Sequence, residues 1–174
     1  MIEHIRRACG CLGKVSHNGA QGKRKKRNAL LDPPPIRRDA LNIKAQDDVF
    51  FQVYWKSVGA GIGPAVILYF YSAGVLRFDC FGKGRGHFHV QTQVPEGIDG
   101  PREKRIFLPE PTAAAQIERA LYEYRINLRY YLQQNPDVRV RNFPIDEAAF
   151  ESALSQVEVQ MLAFLHEVPE LAGI

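Results

Sequence analysis

Cysteine, methionine and tryptophan are scarce in this 174-residue chain, and no long apolar run interrupts it. The three cysteines, Cys9, Cys11 and Cys80, form an odd set with no paired spacing, which argues against a secreted disulfide framework. Cys9-Gly10-Cys11 lacks the two-residue spacer and the second pair of a metal or redox motif, and reads as reduced thiols. No stretch approaches the roughly 20 apolar residues that cross a bilayer. Near the start, Arg6, Arg7 and Lys14 break up the apolar centre that a signal peptide needs, so the cytoplasm is the expected location. A hydrophobic content of 45% over this length suits one domain whose core needs neither disulfide nor metal.

The net charge of +4 is unevenly spread. Residues 1–40 hold ten Lys and Arg against three Asp and Glu, whereas residues 41–174 hold thirteen against sixteen. A run from Lys23 to Arg27 followed by Pro33-Pro34-Pro35 cannot form a packed core. Residues 1–44 therefore read as a disordered basic, proline-rich tail, and 45–174 as a single domain. The run could neutralise nucleic-acid phosphates, but no aromatics are interleaved with it, and it reads first as a solvated arm.

Within the domain, Val49–Lys56, Ala65–Tyr71, Val75–Phe81, His87–Val94 and Arg102–Leu108 read as short strands. Ser57–Pro64 reads as a glycine-rich connection, Ala73-Gly74 as a two-residue hairpin turn and Gly82–Gly86 as another turn. Thr112 suits the N-cap of a first helix whose apolar stripe is Ile117, Leu121, Tyr124, Leu128 and Tyr131, ended by Asn135-Pro136. Asp146 suits the cap of a second, with Phe150, Leu154, Val157, Met161, Phe164 and Leu165 as its stripe. The expected fold is α+β, an antiparallel meander of about five strands with two C-terminal helices packed on one face.

Strand alternation isolates one polar cluster. Leu76, Phe78 and Cys80 share a face with Phe88, Val90 and Thr92, which leaves Arg77, Asp79, His87, His89 and Gln91 together on the other. With Gly82–Gly86 as the loop, Asp79 is expected opposite His89, Arg77 opposite Gln91 and Phe81 opposite His87. A carboxylate that orients an imidazole beside an arginine is suited to acid–base work on a phosphodiester. The candidate catalytic residues are thus His87, His89, Asp79 and Arg77, with Lys83, Arg85 and Gln91 as substrate-binding residues and no cofactor. A solvated hairpin face would carry the same residue types.

The run Arg77-Phe-Asp-Cys-Phe-Gly-Lys-Gly-Arg-Gly-His-Phe-His89 resembles the hairpin signature of the TumE-like toxin family. That signature pairs an aromatic-Asp dipeptide, here Phe78-Asp79, with His-x-His, here His87-Phe88-His89, across a glycine-containing loop. Cys80 and Phe81 depart from it, and the second C-terminal helix and the tail are additional. The resemblance implies the toxin half of a bacterial toxin–antitoxin pair, acting on RNA and partnered by an antitoxin protein.

Two other readings compete. A non-catalytic module could dimerise or capture a partner through Phe51, Val53 and Trp55, or through Phe50, Gln52 and Tyr54, with the first strand as a sheet edge. Alternatively Asp79, His87 and His89 could form a two-histidine, one-carboxylate metal set. Gly82-x4-His87-x-His89 also partly matches the first cupin motif, without its glutamate or a second histidine motif.

Overall fold

Alternating apolar side chains in successive short runs can bury one face only by pairing into a sheet and covering that face with helices. The computed structural model describes residues 36–90 and 105–167, all within the second of the two compact units into which the chain divides, Asp32–Ile174. Six strands form one antiparallel meander in chain order: β1 (Ile36–Gln46), β2 (Val49–Val58), β3 (Gly61–Phe70), β4 (Ala73–Asp79), β5 (His87–Val90) and β6 (Ile106–Phe107). The α+β expectation holds.

The first strand was not expected. Ile36–Gln46 falls largely in the stretch that composition assigns to the tail, yet it pairs along β2 from Ile36 opposite Ser57 to Gln46 opposite Val49. Its charged residues hide a short alternation in which Ile43 and Ala45 are buried and Asn42 and Lys44 lie outward. The expected boundary at residue 44 therefore moves back to at least Ile36, and β2 is an inner strand rather than an edge. The remainder of the expected tail lies outside the described residues.

Two turns also differ from expectation. The glycine-rich stretch is mostly strand: β2 runs to Val58, Gly59-Ala60 makes the turn, and Gly61 and Gly63 belong to β3. At Gly63 a Cβ would overlap the Cys80 carbonyl oxygen, so glycine there permits close approach of the β4–β5 connection. The next turn is Tyr71-Ser72, not Ala73-Gly74. Tyr71 takes a left-handed φ of 56°, offset by packing of its ring on Phe143 and by its N–H donating to the Asp48 carbonyl at 2.6 Å. Gly74 instead lies beside a pairing irregularity opposite Tyr69.

Helix α1 (Ala113–Tyr122) starts where expected, with the Thr112 hydroxyl accepting from the Ala115 N–H at 3.2 Å. It passes through a π-helical segment, Glu123–Asn127, into α2 (Leu128–Gln133). A single turn, α3 (Val138–Arg141), precedes α4 (Glu147–Glu167), which Asp146 caps by accepting from the Ala149 N–H at 3.0 Å. Both predicted stripes are buried, and α4 lies across β1, β2 and β3. Phe51 and Phe78 of the sheet meet Tyr124 edge-on, and the Tyr124 hydroxyl donates to the Leu76 carbonyl at 3.1 Å. Phe51 and Val53 belong to this core, with Trp55 packed against it. That covered face cannot serve as a docking surface. Tyr54 is also buried, in a small cluster on the opposite face with Ala65 and Ile67. Among the described residues no helix is long and apolar enough to cross a membrane.

Candidate functional site

β4 and β5 place Arg77, Asp79, His87 and His89 on the sheet face away from the helices, as alternation requires. The pairing is shifted by two residues from the expected register. Asp79 lies opposite His87, Arg77 opposite His89 and Phe78 opposite Phe88. A shift of two preserves the face but changes the partners. The connection therefore runs over Cys80–Gly86, wider than the expected Gly82–Gly86 turn.

The backbone bonds of that connection explain its width. Gly82, Lys83 and Gly84 take left-handed φ values of 62°, 48° and 66°. Two of the loop's amides are satisfied by the segment around the start of α1 rather than across the hairpin. Gly82 N–H donates to Gln116 Oε1 at 2.9 Å, and Lys83 N–H to the Pro111 carbonyl at 2.8 Å. Gln116 is fully buried and donates through Nε2 to the Glu110 carbonyl at 2.7 Å. At Gly86 a Cβ would overlap the Gln116 carboxamide. Cys80 points into the core, as expected, and burial pushes its thiol pKa up.

Asp79 is the centre of the site. Its side chain is fully buried, and its Oδ2 lies 2.8 Å from Lys56 Nζ, 3.2 Å from His87 Nε2, 3.4 Å from Arg77 Nε and 3.6 Å from His89 Nε2. Burial alone would raise the Asp79 pKa. The close approach of the His87 and His89 rings, then the charges of Lys56 and Arg77, outweigh burial and hold the carboxyl well below the usual carboxylate range. With both imidazoles neutral, the cluster would still carry one positive charge in excess. Both histidines are buried, so this is not the solvated face that the residue types alone allowed.

No family model, curated protein or solved structure matches this chain. The likeness to the toxin hairpin accordingly rests on Phe78-Asp79 and His87-Phe88-His89.

The orientation of His87 is defined at both nitrogens. Nδ1 lies 2.8 Å from the Arg85 carbonyl oxygen, which can only accept, so Nδ1 carries a proton. Donation from Nε2 to Asp79 requires a second proton on the ring. Of the two histidines, His87 also lines a cleft of about 250 Å³ walled by Gly59, Ala60, Gly84, Arg85, Arg105 and Phe107. Gly59 and Gly84 have open space where a Cβ would stand, so a ligand can approach their backbone closely.

Of the expected substrate-binding residues, Arg85 forms part of the cleft wall. Lys83 is exposed on the loop but is not part of that wall, and Gln91 lies outside the described residues. Four residues of the candidate site were not expected from the sequence. Lys56 continues the Phe50, Gln52, Tyr54 alternation by one step, which places it on the polar face. Gln116 was hidden in a helix, and Arg105 and Phe107 in a strand read only for its hydrophobicity.

Asp79, His87 and His89 each bring a ligand atom within 4.8 Å of the others, close enough to share a metal ion. The charges do not suit one. Lys56 Nζ and Arg77 Nε lie 2.8 and 3.4 Å from Asp79 Oδ2, so two positive charges already flank the carboxylate. Two unit charges about 4 Å apart interact by roughly 4 kcal/mol at an effective dielectric constant of about 20, and a divalent ion doubles this. The excess positive charge favours an anion.

Proposed function

We propose that the hairpin is a metal-independent acid–base site for the phosphodiesters of RNA, in a protein that acts as the toxin of a toxin–antitoxin pair. One observation carries the chemistry: buried, ionised Asp79 holds His87 at Nε2, while Nδ1 meets the main chain of Arg85, a residue of the cationic cleft wall. With Nε2–H bonded to Asp79, Nδ1 is the nitrogen that can turn from the Arg85 carbonyl to a substrate oxygen. His87 is the catalytic residue. Asp79, His89, Lys56 and Arg77 are positioning residues, and Arg85 and Arg105 bind the phosphate.

In this reading the ribose 2′-oxygen attacks phosphorus, forming the 2′-O–P bond as the P–O5′ bond breaks. Nδ1 gives its proton to the departing O5′, and the 2′-hydroxyl proton passes to water. The products are a 2′,3′-cyclic phosphate and a 5′-hydroxyl. His87 is left as the neutral Nε2–H tautomer, still bonded to Asp79, and regains its proton from solvent.

The test is incubation of the full chain with end-labelled RNA and with DNA of the same sequence. RNA should yield cyclic-phosphate ends while DNA, lacking the 2′-hydroxyl, stays intact. His87→Ala should lose about 10²- to 10⁴-fold in rate, the usual worth of a general acid, with an unchanged circular dichroism spectrum. Growth inhibition on expression should disappear in the same variant. Undiminished cleavage and toxicity in a folded His87→Ala protein would refute the assignment.

A further inference from the structure

Phe107 is 62% exposed and forms a wall common to two clefts. One is the His87 cleft. The other, about 500 Å³, lies between β5–β6 and the helices, and its walls include Phe88, Tyr130, Tyr131 and Arg119. Tyr130 is 64% exposed, and its ring meets that of Tyr131 at 5.5 Å. Exposed aromatic rings at a cleft rim are the groups on which unpaired bases stack, because every base has a π-face.

The second cleft also contains a polar feature that core packing does not require. Glu123 opens the π-helical segment and is 2% exposed, yet it lines the cleft. Its Oε2 accepts from the Tyr131 hydroxyl at 2.7 Å and from Asn127 Nδ2 at 2.8 Å, and its Oε1 pairs with Arg119. A carboxylate has about four acceptor positions, so one remains for a further donor. Buried carboxylates are costly, and apolar replacements are often as stable. Single-turn π segments inside helices are frequent at functional sites.

We infer that this second cleft is a nucleobase subsite for the single strand whose phosphodiester lies in the His87 cleft. The inference rests on the acid–base reading for the strand's position, and Phe107 is the ridge over which the strand passes. A base leaving that ridge stacks on Tyr130 and turns an N–H of its hydrogen-bonding edge toward Glu123 Oε1. Such an edge is free only in unpaired nucleic acid, so single-stranded RNA is the ligand and duplex is excluded.

The experiment measures binding of fluorescent 2′-O-methyl oligoribonucleotides, which cannot be cleaved, in single-stranded and duplex form. The wild-type full chain should bind the single strand at least tenfold more tightly than the duplex. Tyr130→Ala, a change at an exposed position, should weaken single-strand binding by roughly 5- to 100-fold, the usual loss of one stacked base. Asn127→Ala should weaken it also, whereas an oligomer with an abasic site at the stacked position should bind wild type and Tyr130→Ala alike. Equal binding of duplex, or unchanged affinity in Tyr130→Ala, overturns the subsite even if His87-dependent cleavage is observed. Tyr130-dependent binding without cleavage of ordinary RNA supports the subsite and removes the acid–base reading.

Discussion

Asp79 Oδ2 lies 3.2 Å from His87 Nε2, across a hairpin in which the two residues are directly opposed. The other nitrogen of His87 is held by the Arg85 carbonyl at 2.8 Å, so the ring is clamped between a carboxylate and a backbone acceptor. Removing either charge or ring changes more than one contact, because four side chains converge on the same oxygen.

Asp79→Asn leaves the half-buried charges of Lys56 and Arg77 beside a neutral amide. Breaking a buried ion pair by removing one partner costs about 3–5 kcal/mol. The variant should lose stability in that range at neutral pH, read by urea denaturation.

The pH dependence has a definite sign. Because the folded-state pKa of Asp79 lies below its ordinary value of 3.8, the unfolded chain binds a proton more readily than the folded one. The stability that ionised Asp79 contributes is therefore complete above that value and is lost as pH falls through the lower, folded-state value. Wild type should show a steeper loss of stability below about pH 4 than Asp79→Asn, measured as denaturation midpoints across an acid series.

Gln116→Leu removes the acceptor of the Gly82 N–H and the donor to the Glu110 carbonyl. Each buried polar group left unsatisfied costs about 1–3 kcal/mol. Amide exchange at Gly82 should accelerate, and the proposed RNA cleavage should fall with the loop whose Arg85 carbonyl meets His87. Gly86→Ala should act similarly, since its methyl group meets the same carboxamide.

Zinc should not raise the melting temperature of the wild-type protein, because Lys56 and Arg77 already bring two positive charges to the Asp79 carboxylate. Saturating a real site at about 100 times its dissociation constant would add about 2.7 kcal/mol. Lys56→Met removes one opposing charge and should bind zinc more tightly than wild type, read by thermal shift. A zinc-dependent shift in wild type would show that the charge argument is wrong.

Period-two and helical spacing were enough to place most strands, both long helical stripes and the face that Arg77, Asp79, His87 and His89 occupy. They settled Phe78 and Cys80 inward and Arg77, Asp79, His87 and His89 together, because the direction of a side chain in a strand depends only on position parity. The strand β1 was missed because charged residues and a preceding proline run outweighed the short Ile43, Ala45 alternation.

The partners within the site depended on the tertiary fold. Parity is unchanged by a two-residue slip, so local pattern could not choose between His87 and His89 as the residue opposite Asp79. That choice was made 34 residues along the chain from Gly82, where Gln116 captures the loop amide and widens the connection. Lys56 likewise reaches Asp79 across 23 residues, and Phe107 joins the cleft only because β6 returns to pair with β5. The sequence by itself determined which residue types share a face. The long-range pairing decided which of them touch, because contact between strands depends on register and on the loops that set it.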